Sequence, residues 1–61
     1  MKPAELENLL TKLREEQEAI LVKMKKEVDD KEIVRSCKKE LTAISNFQIA
    51  VMKYKNTLET L

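Results

Sequence analysis

The sequence predicts an all-α protein: a two-helix antiparallel hairpin, coiled-coil-like in its packing, that completes a helical bundle by dimerisation or by docking on a partner. Three observations carry this. Glycine is absent and proline occurs once, while 38% of residues are charged, a composition typical of long helices. Apolar residues recur at alternating spacings of four and three in two separate stretches. Between the stretches stands Val28-Asp29-Asp30-Lys31-Glu32, where the pattern breaks and a new helix can be capped. One domain over 1–61 follows, with helix 1 over about 3–28, a turn at about 29–31 and helix 2 over about 31–58.

Pro3 suits the first turn of a helix, where its missing N–H leaves no bond unmade. From there Leu6, Leu10, Leu13, Gln17, Ile20 and Met24 form one narrow stripe, the seam of a coiled-coil-like contact. Leu9, Leu21 and Val28 widen it. Glu7, Arg14, Glu15, Glu18 and Lys25 lie opposite, on a face expected to be solvated. At the break, Asp29 or Asp30 can accept hydrogen bonds from the free N–H groups of the next helix, and Glu32 favours that helix's positive end.

Helix 2 presents Ile33, Val34, Cys37, Leu41, Ile44, Phe47, Val51, Tyr54 and Leu58 on one face. If the chain reverses near Asp30, a residue on one helix meets a residue whose number completes a sum of about 60, by simple antiparallel register. Met24 then faces Cys37, Ile20 faces Leu41, Leu13 faces Phe47, Leu10 faces Val51 and Leu6 faces Tyr54. Apolar meets apolar at each level. Gln17 and Gln48 interrupt the stripes, either fixing register or lying harmlessly at the rim.

Ile44, Phe47, Ile49, Val51, Met52 and Tyr54 are the candidate partner-binding residues. Within this segment Ile44, Phe47, Val51 and Tyr54 serve the hairpin seam, and Ile49 and Met52 point elsewhere. A chain of 61 residues buries only about 60% of the surface its unfolded form exposes. One cysteine and no histidine leave no internal disulfide and no zinc site to make up the shortfall, so another chain is the expected stabiliser. The expected partner is a second copy or a helical chaperone. Set against this, Ile49 and Met52 could be ordinary scattered surface residues.

Lys31, Arg35, Lys38 and Lys39 form a basic strip that could grip RNA phosphates. The plainer account is a solvated face balanced by Glu32 and Glu40, and no aromatic residue interleaves to stack on bases. The net charge of +1 supplies no general attraction to nucleic acid or membrane. Cys37 reads as a small buried hydrophobe rather than a reactive thiol, because no histidine stands by to activate it. No catalytic residues, metal or cofactor are expected: there is no Gly-rich phosphate loop, and carboxylates such as Glu15 and Glu16 sit on a solvated face. The longest apolar run, Ala19 to Val22, is far short of a membrane span. The stretch Met1-Lys2-Pro3-Ala4-Glu5 lacks the apolar core of an export signal. With a free thiol, this suits the cytoplasm.

The stretch Leu21-Val22-Lys23-Met24-Lys25-Lys26-Glu27-Val28, then Asp30-Lys31-Glu32, then the apolar segment from Ile44 to Tyr54, resembles the small bacterial hairpin co-chaperones of type III secretion needle subunits. The resemblance rests on pattern over about two thirds of the chain. It implies a hairpin paired with a larger helical-repeat chaperone, the two together keeping a needle protein from polymerising in the cytosol. Lys38-Lys39-Glu40-Leu41-Thr42 is similar to the Ser-Gln-Glu-Leu-Asp stretch of the sporulation-phosphatase hairpins, which act on aspartyl-phosphate response regulators. Two lysines replace the Ser-Gln pair and Thr42 replaces the final acid, which argues against that activity here. The sequence thus fits three functions: a non-catalytic protein–protein interaction protein, chaperone- or regulator-like; an RNA-binding hairpin dimer; and a hairpin regulator of a phosphorelay protein.

Overall fold

The computed structural model describes residues 2–61; Met1, the first residue of the stretch considered for an export signal, lies outside the described residues. Two helices pack side by side as a hairpin, α1 over Pro3–Lys26 and α2 over Lys31–Thr60. Pro3 opens α1 as expected, and the N–H groups of Glu5 and Leu6 both reach back to the Lys2 carbonyl. The helix ends at Lys26, two residues before Val28. Glu27 closes it by donating its N–H to the Lys23 carbonyl at 3.0 Å, and Lys23, Lys25 and Lys26 set positive charge against the negative end of the helix.

The link consists of four residues, Glu27 to Asp30. None of the described residues has a positive φ, so the chain reverses without a left-handed cap, and the lack of glycine costs nothing here. Asp30 starts α2. Its carboxylate accepts from the N–H groups of Glu32 and Ile33, each at 3.1 Å, two of the donors a helix start leaves free. Glu32 in the first turn adds a favourable charge at the same end.

Leu6, Leu10 and Val51 form a buried cluster, with Leu9 and Leu58 packed against it. Leu13 and Cys37 are buried further toward the turn. Cys37 is the most deeply buried side chain and fills its place as a small hydrophobe. The molecule is long and thin, 48 × 15 × 12 Å. Its radius of gyration, 14.3 Å, exceeds the roughly 10.5 Å of a compact domain of this length.

Between the Leu10 level and the Cys37 level the seam turns polar. Gln48 donates through Nε2 to Oε1 of Gln17 at 3.0 Å, and Gln17 donates through its own Nε2 to the Ser45 hydroxyl at 3.4 Å. Of the two readings of these glutamines, the structure supports the one in which they fix register. Residue pairs across the hairpin run close to a sum of 62, as in Glu7 with Lys55 and Gln17 with Ser45. Gln48 lies half-buried in the seam and Phe47 is half exposed beside it. Gln17→Leu would strand the Gln48 amide and should lower stability by about 1 kcal/mol. Replacing both glutamines by leucine should recover that loss while weakening the choice of register. Denaturant titration of the three proteins checks this, and a Gln17→Leu chain as stable as the native one would contradict it.

Candidate interaction surface

The segment Leu41 to Met52 runs for twelve residues without a charge, in a chain where more than one residue in three is charged. α1 can cover only one side of it. Val51 is buried and Ile44 half-buried against α1, so these two candidates are taken up by the hairpin itself. The other four remain about half exposed: Phe47 51%, Ile49 52%, Met52 49% and Tyr54 50%.

For Phe47 and Tyr54 this corrects the expectation that they complete the seam opposite Leu13 and Leu6. The reason lies in helix geometry. Successive residues turn by about 100°, which puts Phe47 and Tyr54 about 40–60° to one side of Val51 and Lys55 and Gln48 about as far to the other. The hairpin takes the side with Lys55 and Gln48. That side brings an ion pair and hydrogen bonds to the helix contact, while the aromatic side stays half exposed.

Lys55 shows how that side is held. Its Nζ lies 3.0 Å from a Glu7 carboxylate oxygen and 3.1 Å from one of Glu59, and its side chain is one-fifth exposed. Hydrogen bonding to Glu7, and then to Glu59, raises its pKa above the ordinary 10.5. The lysine's share of the bridge is therefore fully present below that ordinary value and is lost only as pH rises through the raised one. Beside it a groove of about 360 Å³ is lined by Thr11, Arg14, Met52 and Asn56 together with the ion pair. Met52 thus stands in largely polar company.

Leu9 falls on the other flank. It lies on the opposite side of Leu10 from Glu7, as Tyr54 lies on the opposite side of Val51 from Lys55. Since Glu7 meets Lys55, Leu9 shares a flank with Tyr54 and Phe47. Two flanks of unlike character result: one charged, one lined by Leu9, Phe47, Ala50 and Tyr54. The half-exposed apolar residues that make one patch in the sequence separate around α2: Met52 lies on the Lys55 side and Ile49 on the face turned away from α1, neither beside the aromatics.

The basic residues divide as well. Lys31, Arg35 and Lys38 line a groove of about 300 Å³ with Val28 and Val34, near the turn. Lys39, one residue on, lies outside it. Among the described residues the ion pairs are those of Lys55, so the three groove cations are uncommitted. Thr42 donates its hydroxyl to the Lys38 carbonyl at 3.0 Å, a local bond within the helix. Among the described residues no group of His, Cys, Asp and Glu could hold a metal ion, and no helix is long and apolar enough to cross a membrane.

No known family model matches the sequence, and no curated protein or solved structure matches it either.

Proposed function

We propose that this chain is a non-catalytic protein–protein interaction module that offers the uncharged flank of α2 to another helical chain. The observation that carries this is the half exposure of Phe47 and Tyr54, the only two aromatic residues, on one line of α2, with Phe47 inside the charge-free stretch Leu41 to Met52 and Tyr54 just beyond it between Lys53 and Lys55. Depletion of charge with aromatic residues retained is the compositional mark of the centre of an interface. Completing the burial of each half-exposed ring is worth about 1 kcal/mol, a useful sum for so small a fold. The resemblance to needle-subunit co-chaperones would make the partner a larger helical chaperone, and the same flank would serve.

The test compares tagged native chain with a Phe47→Asp, Tyr54→Asp variant in the native host. Both positions are half exposed in the hairpin, so the variant should keep its helix content by circular dichroism. The native chain should retain a discrete helical partner, its own untagged copy included, and the variant should lose it at least tenfold. Equal retention by the two proteins, or none by the native chain, would overturn the proposal.

A second reading rests on the uncommitted cations in the groove near the turn. Lys31, Arg35 and Lys38 would contact RNA phosphates there, without base stacking. Gel-shift titration with structured RNA at two salt concentrations tests it. Binding should weaken steeply as salt rises, and absence of binding at low salt ends this reading.

A further inference from the structure

The turn end of the hairpin carries a second surface, apart from the aromatic flank. Lys31, Val34, Arg35 and Lys38 stand at i, i+3, i+4 and i+7 of α2, so one face of the helix presents all four. With Val28 from the link they line the groove of about 300 Å³. Val28 is 67% exposed and Val34 half-buried. Aliphatic side chains and three cations thus share one concave site.

The hairpin does not neutralise those cations. Among the described residues none of the three belongs to an ion pair. Asp30 is engaged as the cap of α2. Glu32 and Glu40 lie about 110° and 170° around the helix from the centre of the four groove residues. Lys31 with Arg35, and Arg35 with Lys38, are like charges one turn apart, a spacing that destabilises a helix. Lys31 also stands in the first turn, where the end of the helix is itself positive. An anionic group in the groove would turn these repulsions into attractions.

We propose that the groove receives an acidic amphipathic helix of another protein, its carboxylates on Lys31, Arg35 and Lys38 and its aliphatic side chains on Val28 and Val34. Charge complementarity sets the sign of the occupant, and the valines set its kind. The three cations span seven residues, about 10.5 Å along α2. Asp or Glu at i, i+4 and i+7 of a partner helix repeats that spacing, and apolar residues beside them meet the valines, as in other helices laid into grooves. A phosphate backbone satisfies the cations but offers no aliphatic group to Val28 and Val34. No aromatic side chain lines the groove for a base to stack on. These features favour an acidic helix over RNA here.

This surface is distinct from the one that carries Phe47 and Tyr54. The centre of the groove residues and the line of the two aromatics are about 160° apart around α2. A change on one side therefore leaves the other in place.

Fluorescence anisotropy on the full chain tests the proposal, with a labelled synthetic helix in which Glu recurs at i, i+4 and i+7 beside a stripe of Leu. The native chain should bind this peptide, and binding should weaken as salt rises. Gln for Glu in the peptide, or Arg35→Glu in the chain, should each weaken binding about tenfold or more. Ser for Leu in the peptide, or Val28→Ser in the chain, should each weaken it about threefold or more. Arg35 and Val28 are both exposed, so the variants should keep their helix content by circular dichroism. The Phe47→Asp, Tyr54→Asp chain should bind the peptide as the native chain does. No binding, or equal binding of the Gln peptide, overturns the proposal. Equal binding of the Ser peptide overturns it too, since charge alone would then suffice. So does a structured RNA that binds more tightly than the peptide, because the groove would then belong to nucleic acid.

Discussion

A helix with a single neighbour hides one stripe of its surface, and everything else in this molecule follows from that limit. Among the described residues five apolar side chains are buried between α1 and α2: Leu6, Leu10, Leu13, Cys37 and Val51. α2 carries more apolar surface than one stripe can hold. The hairpin has to leave some of it outside. Lys55 with Glu7 and Glu59, and Gln17 with Gln48 and Ser45, lie along the side of α2 that meets α1. The aromatic side is left free.

This division of labour gives the polar seam residues a meaning beyond stability. A glutamine pair in a helix seam is weaker than an apolar pair of the same size, but it is satisfied in one register only. The network holds Gln48 inward and so keeps Phe47 outward. Turning α2 about its axis to bring Phe47 inward would carry Gln48 away from Gln17 and break their hydrogen bond.

Much of the fold was legible from residue pattern. The two stripes, the break near Asp29 and Asp30, the capping role of Asp30 and the buried state of Cys37 all follow from periodicity and capping chemistry. The end of α1 is harder to read, because Val28 continues the apolar stripe while the chain has already left the helix. The outer surface was legible only in part. Segment 41–52 stands out by composition, but periodicity puts Phe47 and Tyr54 in the seam, since a pattern of apolar residues does not say which of two overlapping stripes a partner helix selects. Lys55 carries the missing signal. A lysine one position from Tyr54 and next to the Val51 line, with Glu7 across the hairpin and Glu59 one turn on, marks the side that an ion pair would draw inward.

The central claim is that the hairpin's free flank is covered by another chain, so the stability of the fold includes an association term. Thermal melting followed by circular dichroism over a wide range of protein concentration tests this directly. The account predicts a melting temperature that climbs steadily as the protein is concentrated, and a Phe47→Asp, Tyr54→Asp chain whose lower melting temperature does not move. A native melting temperature that stays constant across a thousandfold dilution, with helix content intact, would contradict it.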